Sequence, residues 1–175
     1  AEREASKGIA AGRVEAKGLV ADLNADLRQT LKLGKDPVAA GDPQDLAIDV
    51  GDDPALYARV RERAVAWLRL QPHVAQVFTR DEIAAAAPPL GRPVDQLTMA
   101  ERFHESFDPA RSGDIFVVFD EHWRPGVPHK PGDAVAGHGT PWDYDRLVPI
   151  LFWWRGAAGE TVTRPIETVD IAPTL

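Results

Sequence analysis

The residues best placed by type to do chemistry are Gly137-His138-Gly139-Thr140-Pro141-Trp142-Asp143-Tyr144-Asp145. Two glycine neighbours give an imidazole nothing to pack beside, and their backbone freedom is costly to order, so His138 reads as a group aimed at a ligand. The apolar run Val148 to Trp154 follows at once. It predicts a buried strand, which would put His138 on a loop anchored to a rigid element, the usual setting of a metal or catalytic site. His122 and His129 fall in the same loop region, with Asp120, Asp133, Asp143 and Asp145 nearby. The chain has no cysteine, so imidazole and carboxylate are the donors that a zinc site would use.

The spacing of these histidines matches no local zinc signature such as H-E-x-x-H. The ordinary reading of His122 and His129 is therefore that of exposed loop residues. Asp143 and Asp145 read in two ways, as ligands or orienters of His138, or as caps of the turn through side-chain-to-backbone bonds. A Ser-His-Asp arrangement using Ser112 can be written down, but Ser112 lacks the strand-turn-helix context of a nucleophile elbow. Gly132 to Gly139 has no Gly-Lys-Ser/Thr and is not a phosphate-cradling loop.

The elements that must position these groups are legible from periodicity. Leu19, Leu23, Leu27 and Leu31 recur every four residues, and Gly34 and Pro37 supply stop signals, which predicts a helix near 19–33. Asp53 as cap and Pro54 at the first position open a second helix near 54–70, with Leu56, Val60, Ala64, Trp67 and Leu68 on one face. Strands are expected at Leu46 to Val50 and near 73–79, 113–120, 148–154 and 162–169. The 113–120 segment is too evenly apolar to face water on either side. Residues 1–18 read as a loop, 84–93 as a surface connection with a helical turn, and 121–139 as a long loop without periodicity. Asp170 and Pro173 carry the cap and first-turn signals of a further helix. The fold class is α/β, a mixed sheet with flanking helices.

At 175 residues, with 44% hydrophobic and 27% charged residues, the chain suits one globular unit with a real core. A net charge of −7 argues against nucleic acid or an anionic membrane as partner. No apolar run approaches the length of a membrane-spanning helix, and the first residues lack the apolar region of a signal peptide.

His138-Gly139-Thr140-Pro141-Trp142-Asp143-Tyr144-Asp145, the Val148-Pro149-Ile150-Leu151-Phe152 segment and the closing Asp170-Ile171-Ala172-Pro173-Thr174-Leu175 strongly resemble the C-terminal part of the alkaline phosphatase superfamily. The bacterial monomeric branch with a threonine nucleophile, which includes type I phosphodiesterase/nucleotide pyrophosphatases, is the most similar. The Arg111-Ser112-Gly113-Asp114 entry into a strand and the Leu68-to-Arg80 unit are similar too. The resemblance implies that residues 1–175 are the C-terminal part of an alkaline phosphatase-like catalytic domain cut at both ends. It implies a two-zinc phosphoryl-transfer site in which His138 is one ligand of one zinc, a phosphate ester substrate, and a periplasmic or secreted parent. The family's Asp-His-Gly ligand pair and its nucleophile lie upstream in sequence, and no Asp-His-Gly occurs here. One histidine cannot complete such a site, so the chain alone is expected to be inactive and to expose a face prone to self-association.

Two other readings stay open on the residues themselves. One is a self-contained α/β binding or interaction module without metal. The other is a small metal-binding domain in which His122, His129 and His138 converge.

Overall fold

In the computed structural model, which describes residues 2–127 and 138–174, the chain folds around a four-stranded sheet flanked by helices. A four-residue helix α1 (Glu2–Ala5) precedes a short strand β1 (Gly12–Val14) and the first long helix, α2 (Ala16–Leu31). The leucine repeat does what its spacing requires, since Leu23 and Leu27 are fully buried. Lys32, in the left-handed region at φ 57°, ends the helix two residues before Gly34 by donating its N–H to the Arg28 carbonyl. Asn24 is buried on the same helix and pairs with both backbone groups of Val38, at 2.9 and 3.0 Å, so it braces the next strand.

That strand, β2 (Val38–Asp42), turns back antiparallel into β3 (Asp45–Ile48). Helix α3 (Pro54–Leu68) opens as the sequence dictates, with Asp53 accepting the Leu56 N–H at 2.8 Å and Pro54 in the first turn. Its buried face is Val60, Ala64, Val65 and Leu68. Next come β4 (Val74–Thr79), α4 (Arg80–Ala85), α5 (Met99–His104) and β5 (Ile115–Phe119). Both α4 and α5 begin with a capping box, Thr79 with Glu82 and Thr98 with Glu101.

The sheet order β2-β3-β5-β4 puts β5 in the middle, antiparallel to both neighbours, and all five of its residues are buried. Its alternation divides two layers. Ile115, Val117 and Phe119 join the core with α2 and α3, whereas Phe116 packs edge-on against Phe103 of α5 and against Phe107. Asp114 locks the entry to β5 by accepting the Ile48 N–H at 2.7 Å and the Tyr57 hydroxyl at 2.8 Å. Burial, and then that bond to Asp114, push the Tyr57 hydroxyl above its ordinary pKa.

Four expectations are corrected. Residues 1–18 are not all loop, because β1 pairs in parallel with β6 (Trp123–Pro125), which also gives structure to the expected 121–139 loop. Gly12 permits this pairing, since a Cβ there would stand 2.5 Å from the Trp123 ring. The 148–154 segment is not a strand: it has no regular structure, and Leu151, Phe152, Trp153 and Trp154 are all exposed. A strand needs a neighbour for its backbone groups, and among the described residues this segment pairs with no strand. The 162–169 segment likewise carries no strand and ends in a 3-10 turn (Thr168–Asp170) leading into a last short helix. Asp170 bonds back to the Glu167 N–H at 3.1 Å. His129 and Asp133 lie outside the described residues.

Candidate metal-ligand loop

His138 is exposed and lines an open cleft of about 240 Å³ formed with the β2–β3 turn (Asp42, Pro43, Gln44) and with Arg124 and Pro125 of β6. Gly139, next to it, has φ 103°, a conformation that side-chain-bearing residues rarely adopt, so a glycine is required at that point. The chain then runs through Thr140 and Pro141 into the short helix α6 (Asp143–Arg146).

This segment is tied down from several directions. Gln44 Nε2 donates to the Gly139 carbonyl at 3.1 Å, and the Thr140 N–H donates to Asp145 at 2.7 Å. Arg102 Nη1 donates to the Pro141 carbonyl at 2.8 Å, and its Nη2 lies 2.9 Å from Asp143. Trp142 Nε1 donates to the Phe119 carbonyl at 3.0 Å, joining the loop to the end of the central strand. Tyr144 stacks on His122. Beneath lies a second cleft, about 370 Å³, whose lining includes Asp45, Arg102, Ser106, Thr140 and Arg146. Burial pushes the Asp45 carboxyl above its ordinary pKa, opposed by the Gly113 N–H that it accepts. Burial, and then the Arg102 charge, push the Arg146 guanidinium down, opposed by Asp143.

The other candidates are distributed differently from what their proximity in sequence suggests. Asp145 accepts the Thr140 N–H, the bond that the capping reading expects, whereas Asp143 pairs with the Arg102 and Arg146 side chains and makes no such bond. Asp120 lies 3.3 Å from His73, a residue with φ 64° whose ring stacks on Trp123. His122 is packed on Tyr144, and the Ser112 hydroxyl accepts the Asp108 N–H in a local turn. Among the described residues no group of three His, Cys, Asp or Glu side chains converges as a metal site. His138 is exposed on the cleft that Asp42 also lines, and among the described residues no three donors converge there, so a zinc ion at this point would need further ligands.

Arg102 and Gln44, which help fix the loop, are not singled out by the sequence, and Trp142 is marked there only as part of the motif. The Thr98-x-x-Glu101 signature would have revealed the helix that carries Arg102, but no local pattern marks the contacts of Gln44 or Trp142, made across 95 and 23 residues.

No family model matches the chain. Among curated proteins it is 40% identical over 159 residues to the alkaline phosphatase PhoK of Sphingomonas sp, covering 87% of this chain and 28% of that protein. It is 42% identical over 118 residues to the alkaline phosphatase PhoD of Zymomonas mobilis subsp. mobilis, covering 67% of this chain and 20% of the relative. The crystal structure of wild type alkaline phosphatase PafA superposes on 81% of this chain and 25% of its own, with a TM-score of 0.57 at 21% identity, a likeness of fold. The chain thus spans about a quarter of the length of the relatives it matches. Sequence identity at this level and a shared fold together place the chain in the alkaline phosphatase superfamily.

Proposed function

We propose that these residues form one part of the catalytic domain of a zinc-dependent phosphate ester hydrolase, a phosphomonoesterase or phosphodiesterase, and that His138 supplies one ligand to one of two zinc ions. The observation that carries this reading is an accessible imidazole on a loop bound to the central sheet, in a chain 40% identical to an alkaline phosphatase. Zinc bound there would supply charge stabilisation to phosphoryl oxygens and lower the pKa of a coordinated hydroxyl. The chain's own part is to present His138 at a fixed place, with Arg124 on the wall of the same cleft. The hydroxyl nucleophile and the other ligands belong, on this reading, to residues outside these 175, and the whole enzyme works in the periplasm or as a secreted protein.

Zinc titration of the chain by itself, together with an aryl phosphate hydrolysis assay, tests the proposal. One imidazole should bind zinc weakly and turnover should be absent. Tight stoichiometric zinc binding would favour convergent histidines instead, and robust turnover by the purified chain would overturn the division of the site.

A further inference from the structure

We propose that Arg102 is a positioning residue for His138, acting through the backbone of the loop; the inference rests on the zinc-ligand reading above. His138 is exposed, so its own packing does not fix it, and its place depends on the chain that follows. A metal ligand must be held within about 0.5 Å of its productive position. Arg102 grips this chain from a sheltered position, with its side chain only 12% exposed.

The guanidinium spans two elements. Its Nε donates to the Leu97 carbonyl at 3.0 Å, at the start of its own helix, while Nη1 and Nη2 reach Pro141 and Asp143, three and five residues beyond His138. The platform beneath is itself rigid. Arg92 donates to both carboxylate oxygens of Glu101, at 2.8 and 2.9 Å, Glu101 closes the capping box with Thr98, and Phe103 packs on Phe116 of the central strand. A planar fork makes these bonds at fixed mutual angles, which a lysine ammonium on a flexible stem does not do. With Gln44 holding the Gly139 carbonyl, the chain that follows His138 is tied at both ends of the Gly139–Pro141 stretch.

The test uses the full-length zinc enzyme with Arg102→Met and Arg102→Lys, each with and without His138→Ala, and reads the zinc dissociation constant by chelator competition and the melting temperature of the metal-free protein. Arg102→Met should weaken zinc binding about tenfold, the lower end of what outer-shell changes cost. Arg102→Lys should recover only part of the loss. In the His138→Ala background neither change should weaken zinc further. If His138→Ala itself leaves zinc affinity unchanged, the ligand reading fails. If His138→Ala weakens zinc while Arg102→Met does not, or weakens it equally in both backgrounds, the positioning role is overturned. Should Arg102→Met fail to fold, Asp143→Asn, which leaves the Pro141 contact in place, carries the same comparison and should show a smaller loss with the same dependence on His138.

Discussion

Trp142→Phe tests the tie between the His138 loop and the central strand, because it removes the indole N–H donor while keeping an aromatic ring. The indole Nε1 donates to the Phe119 carbonyl at 3.0 Å at a partly buried position. Such a bond contributes about 1 kcal/mol net, against the conformational cost of ordering the loop. For a chain of this size, about 1 kcal/mol lowers the melting temperature by roughly 2–4 °C. The same substitution at Trp153, which is 85% exposed, should change stability by less than about 0.5 kcal/mol. Urea denaturation of the two variants beside the parent chain gives both numbers. Equal effects at the two positions, or none at Trp142, would refute the claim that the loop is held to β5 by this bond.

Gly113→Ala should destabilise by about 1–3 kcal/mol in the same assay, since the new Cβ would lie 2.7 Å from the Leu46 carbonyl of β3, a backbone atom in the middle of a sheet. Asp26 is held below its ordinary pKa of 3.8, chiefly by the hydrogen bond from Arg63, which grips both its oxygens at 2.5 and 2.7 Å. Its folded pKa is therefore below its unfolded one. The stabilisation is present above about pH 4 and is lost as pH falls through the lowered value. Asp26→Asn should flatten that part of a stability-against-pH curve, and an unchanged curve would remove the pair from the account. The exposed Leu151, Phe152, Trp153 and Trp154 should make the isolated chain associate in sedimentation, and replacing both tryptophans by serine should shift it toward monomer.

Where the sequence was legible, local signals and core packing agreed. The α2 leucines, the Asp53-Pro54 start of α3 and the evenly apolar β5 all sit where their patterns put them. The 148–154 run has the same apolar character as β5 but a different outcome. Periodicity reports what a segment would bury, whereas burial requires a covering element, and the described residues provide none. His138 stands out as a candidate because its glycine neighbours offer it nothing to pack on, and in the structure it is exposed, with Gly139 at a positive φ. The grip on its loop was not legible, because Arg102, Gln44 and Trp142 act on backbone atoms across long sequence separations that leave no spacing rule.

The most direct measurement of the central claim is the zinc content and aryl phosphate hydrolysis of the full-length enzyme carrying His138→Ala. Loss of a ligand to a catalytic metal that supplies several kcal/mol of charge stabilisation should lower the rate by about 100-fold or more, with zinc occupancy reduced and the far-ultraviolet circular dichroism unchanged. A variant that stays fully active and zinc-replete would contradict the assignment of His138 as a zinc ligand.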